Sequence, residues 1–506
     1  MGLRRRDFLT TAGASVLAMS GPPWLDARAQ AFDFAAVRAK AEELSRASYA
    51  APEASVPEAL RSLKERAYRQ IRFRGEHALW HDEGQPFRVV FSHLGWLYQQ
   101  PVAINLVDGA EVLEVPYRRE MFDFGENGFA DGFGDDLGFA GFRVHHSLAD
   151  PRDYPELASF DGSSRFRFIG HGQIYGAAAR ALAIDTATSS GEEIPRLREF
   201  WLQRPTPDAA EMTVYAILDS PGLSAAYQFV FRPGAVATMD VSAVLFPRRT
   251  IEKLGIAPLS SMFLFGESGR RRFDDYRPEV HDSDGLLIYN GRSEWLWRPL
   301  VNHGSLQISA FQDESPRGFG LLQRDRDFED YQDLHHQYER RPSLWVEPIG
   351  AWGPGWVELV EIPSERETND NILAFWVRRE AAEAGKPIEI AYRIHAQLDQ
   401  PRRPPLGQAL ATRIGPGSAP DSRRFVVDFA GGPIADLGRG AALEAVLKAH
   451  AGEVGEPRLE FNARTGGWRA TFDLFPNGEE LCEMSLFLRR GGETMTETWL
   501  YRWTSA

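Results

Sequence analysis

Residues 211–247 read EMTVYAILDSPGLSAAYQFVFRPGAVATMDVSAVLFP. Three apolar runs, rich in β-branched and aromatic residues, follow one another: EMTVYAILDS, AAYQFVFRPG and VATMDVSAVLFP. Asp, Ser, Pro and Gly punctuate them, which is turn chemistry. The joints are far too short for crossover helices, so the pattern predicts neighbouring antiparallel strands. The same texture extends upstream to about residue 86, through FRVVFSHLG, PVAINLVDG, AEVLEVPY and SRFRFIG. Downstream it continues through GLLIYNG, EWLWRPL, LQISAFQD, LWVEPIG, GWVELVEIP, ILAFWVRR and IEIAYRIHAQL. Many short strands with few helices argue for an all-β sandwich rather than a parallel α/β fold.

Helices are expected in few places. Residues 34–70 carry Leu44, Leu60, Leu63 and Tyr68 among Ala, Glu, Arg and Lys, with Pro52 and Pro57 breaking the run. YGAAARALAID (175–185) and LGRGAALEAVLKAHAG (437–452) also read as helix-like. The best domain boundary is DQPRRPPLGQ, residues 399–408, with three prolines and no apolar periodicity. The region after it has the size and strand count of an immunoglobulin-like sandwich.

The 506 residues allow two or three domains, or one large β domain with a smaller companion. A net charge of −14 argues against nucleic acid or an anionic membrane surface as a partner. The N-terminus reads MGLRRRDFLTTAGASVLAMSGPPWLDARAQA, with Arg5-Arg6-Asp7-Phe8-Leu9, a short apolar run and A-x-A spacing up to Ala31. That is the layout of a twin-arginine export signal over residues 1–31. No later stretch is long and apolar enough to suggest a transmembrane helix. The single cysteine, Cys482, excludes an intramolecular disulfide and a cysteine zinc site, and is expected to be buried in a strand.

Chemistry concentrates between residues 274 and 371. YRPEVHDSDGL (276–286) brings Glu279, His281, Asp282 and Asp284 into six residues. Three readings of HDSD compete. As a metal site it lacks a second spaced histidine and does not fit a calcium loop, so no metal is assigned. As a turn, Asp-Ser-Asp-Gly is apt. As half of a carboxylate pair it needs a partner elsewhere, and Asp370 in ETNDN (367–371) is a candidate. No serine nucleophile elbow, P-loop or dinucleotide turn competes, and no cofactor is called for.

The strings YRPEVHDSDGL, NGRSEWLWRPL, FQDESPRGFGLLQRDRDFEDYQDL, YERRPSLWVEP and VEIPSERETNDNILAFW closely resemble the periplasmic glucans biosynthesis family, OpgG/OpgD, also called MdoG/MdoD. FDFAAVRAKAEELS, PFRVVFSHLGWLY and YGAAARALAIDTA extend the resemblance over nearly the whole mature chain. The twin-arginine signal looks more like the OpgD branch. The resemblance implies a large galactose-mutarotase-type β-sandwich over 32–398, a linker at 399–408 and an immunoglobulin-like domain over 409–506. It implies a periplasmic protein acting on β-1,2-glucan, as an inverting endo-glucanase. A cyclising transglycosylase on the same glucan, or a non-catalytic glucan-binding factor, is the alternative. The inner-membrane glucan synthase is the protein partner this implies.

Carried across by motif, the aspartate of ETNDN, Asp370, is the general acid, and the first aspartate of HDSD, Asp282, is the general base. Tyr338 of YERRPS lies near the reacting sugar. Trp295, Trp297 and Trp345 are candidates for stacking on glucose, and Arg298, Arg340, Arg341, Glu347 and Glu367 for hydroxyl contacts. On this reading Asp370 sits shielded from water and protonated, while Asp282 stays ionised.

Overall fold

A computed structural model describes residues 32–51, 56–129, 134–147, 153–161, 163–269, 272–399 and 404–505. The export signal expected at 1–31 lies outside the described residues. Within them the fold is all-β: two large twisted sheets face each other across one core, and a five-stranded sheet packs against an extension of the larger one.

The opening stretch forms three consecutive antiparallel strands, Met212–Asp219, Leu223–Arg232 and Ala237–Pro247. Ala237, Met239, Val241, Ala243 and Leu245 alternate into the main core, facing Phe229 and Phe231 of the neighbouring strand. Each fully buried ring of this kind contributes about 2–3 kcal/mol. The opposite face is covered too. Helix Phe34–Arg46 lays Val37 and Ala41 against Ile217, Ala226, Val244 and Phe246. Asp33 caps that helix, accepting from the Ala35 and Ala36 amides at 2.9 and 3.2 Å. Short helices Glu58–Arg61 and Glu65–Tyr68 follow.

Two sequence expectations fail in the same way. YGAAARALAID forms strands Ala178–Arg180 and Leu182–Ile184, both paired with Leu254–Ser261. LGRGAALEAVLKAHAG contributes the edge strand Glu444–His450. Alanine favours a helix, but here its small side chain fits between closely packed strands. In the second case Ala445, Leu447 and Ala449 pack on the core while Glu444, Lys448 and His450 alternate with them.

The larger sheet does not end at the expected boundary. Strand Trp295–Pro299 pairs in parallel with the C-terminal strand Thr498–Thr504, with Trp297 opposite Trp499. Leu287, Trp295, Trp297, Leu322 and Trp345 therefore share a core with Phe425, Phe472, Trp499 and the buried Cys482. Residues 400–403 of the linker lie outside the described residues.

Candidate active site

The two candidate carboxylates arrive from different sheets, and one segment joins them. Strand Leu254–Ser261 pairs with Ile372–Arg378, ending with Ser261 opposite Ile372. After one residue the chain resumes as Phe263–Phe265 and pairs with Val280–His281, with Phe263 opposite His281. Asp370 thus precedes one partner strand and Asp282 follows the other. Along the joint, the Ser260 hydroxyl donates to Asp370 at 3.2 Å and the Met262 carbonyl accepts from the Asp282 amide at 2.8 Å. Asn371 bridges the same joint, bonding the Phe263 amide and carbonyl at 2.9 and 3.0 Å.

Successive residues on a strand face opposite ways, and HDSD divides accordingly. Asp282 points to the Asp370 side, where it is buried and ion-paired with Arg341. His281 points behind. Its Nδ1 meets Gln323 at 2.9 Å, and its Nε2 lies 2.7 Å from Glu279 and 3.4 Å from Asp284. The Gln323 amide nitrogen donates to the His281 and Tyr338 carbonyls, so its oxygen faces the ring and His281 Nδ1 carries a hydrogen. Asp284 makes the turn, accepting from the Arg324 amide and, at 3.1 Å, from the Asp325 amide.

Glu279, His281, Asp284 and Asp325 bring ligand-capable atoms within 4.8 Å of one another, close enough to hold a cation. Protons already offset part of their charge. Burial pulls the His281 imidazolium down, but the Asp284 and Glu279 carboxylates outweigh it and raise it to about 9. Burial, then the neighbouring carboxylates, pushes Asp325 and Glu267 upward. A cavity of about 30 Å³, lined by Glu267, His281, Asp284, Arg324, Asp325 and Thr412, separates this cluster from the C-terminal sandwich.

The electrostatics of the pair differ from the expectation. Asp282 is the shielded carboxyl: burial pushes it up, Arg341 opposes that, and the Asp370 charge adds to it. Asp370 is only half-buried, and its Oδ2 is ion-paired with Arg165 Nη2 at 2.5 Å. The reason is positional. Asp370 lies on the loop before its strand, whereas Asp282 is enclosed by the Met262 joint and the Arg341 side chain.

Around the pair, Arg341 lies over the Tyr338 ring at 4.1 Å, and the Tyr338 hydroxyl donates to Glu367 at 3.0 Å. Arg277 ties Glu367, at 2.7 Å, to Asp333 and Asp275, both at 2.8 Å. Tyr338, Arg341 and Glu367 therefore gather beside the two aspartates. Arg340 is exposed and donates to the Gly172 carbonyl at 3.0–3.1 Å.

Five of the expected sugar contacts lie elsewhere. Trp297 is buried beneath the Arg324 guanidinium, 3.4 Å from the ring centre. Trp345 is buried against Trp295, ring centres 5.9 Å apart. Each of these indoles covers a glycine: a Cβ on Gly285 would stand 2.4 Å from Trp297, and one on Gly318 2.2 Å from Trp345. Their faces are spent on packing. Trp295 in turn stacks on Tyr289 at 4.2 Å. Arg298 is buried and paired with Glu483 at 2.8 Å. Glu347 stands four residues beyond Ser343 on its strand, about 13 Å along it, and contacts His395 at 3.2 Å.

Sequence reasoning missed Arg165, Arg167, Ser260 and Arg277. SRFRF held the signal for two of them: Phe166 and Phe168 alternate into the core, which leaves Arg165 and Arg167 on the other face.

Nearly all of the described residues fall within one family match. Residues 32–503 match the model described as "Periplasmic glucan biosynthesis protein, MdoG". The chain belongs to this family. A relative named "Glucans biosynthesis protein G" from Bradyrhizobium diazoefficiens is 44% identical over 505 residues, covering 99% of this chain and 100% of its own. One named "Glucans biosynthesis protein D" from Stenotrophomonas maltophilia is 42% identical over 531 residues, covering 99% of this chain and 98% of its own. Members of the MdoG family bearing either name are thus nearly equally similar over the full length. Among the described residues, no helix is long and apolar enough to cross a membrane.

Proposed function

We propose that this chain is a periplasmic glycoside hydrolase that cleaves β-1,2-glucan with inversion, with Asp370 as general acid and Asp282 as general base. The observation that carries the reading is the convergence of these two carboxylates, 88 positions apart by number, on the single joint Ser260–Phe263. Glycoside hydrolysis needs such a pair: one group protonates the leaving oxygen, the other draws a proton from the attacking water. Asp282 suits the second task. Burial raises its proton affinity, which makes it a better base, and Arg341 favours its ionised form. A carboxylate pinned by a guanidinium is also better placed to take a proton than to swing onto the anomeric carbon. Tyr338, Glu367 and Arg277 supply hydroxyl-binding groups around the reacting sugar. Membership of the glucan biosynthesis family supports glucan as the substrate class.

The test is incubation of the purified protein with linear β-1,2-glucan in the presence of a chelator, followed by mass analysis. Shorter linear products are expected. Products lighter by one water would mean a cyclising transglycosylase. Unchanged glucan that still binds would make the protein a binding factor and the two aspartates sugar ligands.

A further inference from the structure

The candidate acid stands on a long hairpin loop. Ten residues, 362–371, join strand Gly355–Glu361 to strand Ile372–Arg378, and none of them is helix or strand. Hairpin loops commonly have about 2–5 residues, so a loop of this length needs anchors of its own. Only Ser364 and Asn371 of the ten are buried, and they are its two feet. Glu367 and Asp370 lie between them, partly exposed.

Asn371 stands on Phe263 and closes the loop. Its side chain donates to the Ile362 carbonyl at 3.0 Å, and its own carbonyl accepts from the Ile362 amide at 2.8 Å. Ser364 stands on Asn302. The Asn302 Oδ1 accepts from the Ser364 amide at 3.0 Å. Its Nδ2 donates to the Ser364 carbonyl at 2.7 Å and to the Leu264 carbonyl at 3.0 Å. One side-chain amide thus satisfies three backbone groups and fastens the loop to the segment Phe263–Phe265. The Ser364 hydroxyl passes the constraint along the loop. It donates to the Arg366 carbonyl at 3.0 Å and accepts from the Arg366 amide at 3.2 Å and from Asn369 Nδ2 at 3.3 Å. Asn369 immediately precedes Asp370.

The backbone that carries Asn302 is tied to the base. The Leu300 amide donates at 2.8 Å to the carbonyl of Asp284, two residues beyond Asp282. The Val301 amide donates at 2.9 Å to Glu361, the last residue before the loop. Residues 300–302 therefore form a second bridge between the base turn and the acid loop, separate from residues 260–263.

We propose that Asn302 is a positioning residue that sets the reach of Asp370 toward the glycosidic oxygen. This rests on the reading of Asp370 as the acid. Asn302 acts through the loop, since its side-chain bonds go to Ser364 and Leu264. With alanine in its place the Ser364 foot loses both bonds, and the stretch that leads to Asp370 shifts with it. A misplacement of about 1 Å at a reacting group costs on the order of 10²-fold in rate. Asn371 still holds the other end of the loop, and Arg277 and Tyr338 hold Glu367.

The experiment gives the full chain, Asn302→Ala and Asp370→Asn two substrates. One is linear β-1,2-glucan; the other is a dinitrophenyl β-glycoside of a short β-1,2-glucan. A departing sugar needs a proton from the acid, whereas dinitrophenolate leaves as a stable anion and needs none. Sugar binding and the water activated by Asp282 serve both substrates. Asn302→Ala is expected to lose about 10²-fold in kcat on the glucan and to leave turnover of the aryl substrate unchanged. Asp370→Asn is expected to show the same contrast. Equal losses of Asn302→Ala on both substrates, or no loss on either, would overturn its positioning role while the contrast in Asp370→Asn keeps the acid assignment standing. Equal losses of Asp370→Asn on both, or no turnover of glucan by the unaltered chain, would remove the acid assignment and the positioning role with it. Asn302→Asp, which keeps the acceptor and loses the donors, replaces the alanine variant if that does not fold. If the unaltered chain does not cleave the aryl substrate, the double variant decides on glucan alone. Asn302→Ala is then expected to cost nothing further once Asp370 is asparagine, and full additivity would overturn the proposal.

Discussion

The Ser261 and Ser283 hydroxyls meet at 2.8 Å, both fully buried, directly behind the two candidate carboxylates. Ser261 ends the strand beside the Asp370 loop, and Ser283 follows Asp282 in the turn. This bond ties the acid's frame to the base's frame. Changing either serine to alanine strands the other hydroxyl in the core, which costs about 1–3 kcal/mol. The double alanine variant is expected to be less destabilised than the sum of the two singles. Chemical denaturation of the four proteins measures that coupling, and strict additivity would mean the contact carries no net energy.

Asp370→Asn and Asp282→Asn separate chemistry from folding. Loss of a general acid or base costs about 10²- to 10⁴-fold in rate. Each variant is expected to lose turnover on that scale while still binding glucan. Their stabilities are expected to differ. Asp282→Asn leaves the Arg341 charge without its partner beside a buried side chain, whereas Asp370 is half-buried and near solvent. Thermal unfolding is therefore expected to drop further for Asp282→Asn. The reverse order would mean that Arg341 is satisfied elsewhere.

The strand pattern was legible because it obeys local rules. Residues 211–247 form apolar runs rich in β-branched and aromatic residues and carry turn residues at each joint, so their pairing needed no outside information. The helix Phe34–Arg46 was legible for the same reason. YGAAARALAID and LGRGAALEAVLKAHAG were misleading because alanine's preference yields to strand neighbours that are distant in sequence. At the site, the motifs led to Asp282, Asp370, Tyr338, Arg341 and Glu367, which the structure brings together. Trp297 and Trp345 look the same in sequence whether they stack on a sugar or on a glycine of the next strand. Only the register of Gly285 and Gly318 decides between the two. Arg165 was hidden because its partner, Asp370, is 205 positions later by number.

The C-terminal sandwich is expected to unfold together with the large one. Arg324 donates to Glu497 at 2.7 and 3.0 Å, and the pair is almost fully enclosed. The same guanidinium bonds the Ala409 carbonyl at 2.6 Å and covers Trp297, while Glu497 accepts from the Ala409 amide at 2.9 Å. Replacing one member of a buried pair leaves a charge uncompensated and costs about 3–5 kcal/mol. Glu497→Gln is expected to lower the unfolding temperature of a single calorimetric transition. A separate low-temperature transition would show the C-terminal part melting alone, against the continuous pairing of Trp295–Pro299 with Thr498–Thr504.

Stability is expected to fall as pH rises from about 6.5 to 9. His281 goes from an ordinary 6.5 to about 9 on folding, because Asp284 and Glu279 outweigh its burial. A raised histidine contributes stability that is complete below the unfolded value and is lost as pH rises through the folded one. At about 1.4 kcal/mol per unit this is on the order of 3 kcal/mol. Asp325 and Glu267, pushed up by burial and by their carboxylate neighbours, act with the same sign: the folded state keeps protons that the unfolded chain releases. Asp325→Asn removes one such proton and is expected to flatten the fall. Asp284→Asn removes a charge that holds the imidazolium, so its midpoint is expected to move below 9. Denaturation midpoints measured across pH 6–10 check all three proteins, and a midpoint that stays flat or climbs over this range would mean that the His281 ring is neutral and the cluster is balanced by other charges.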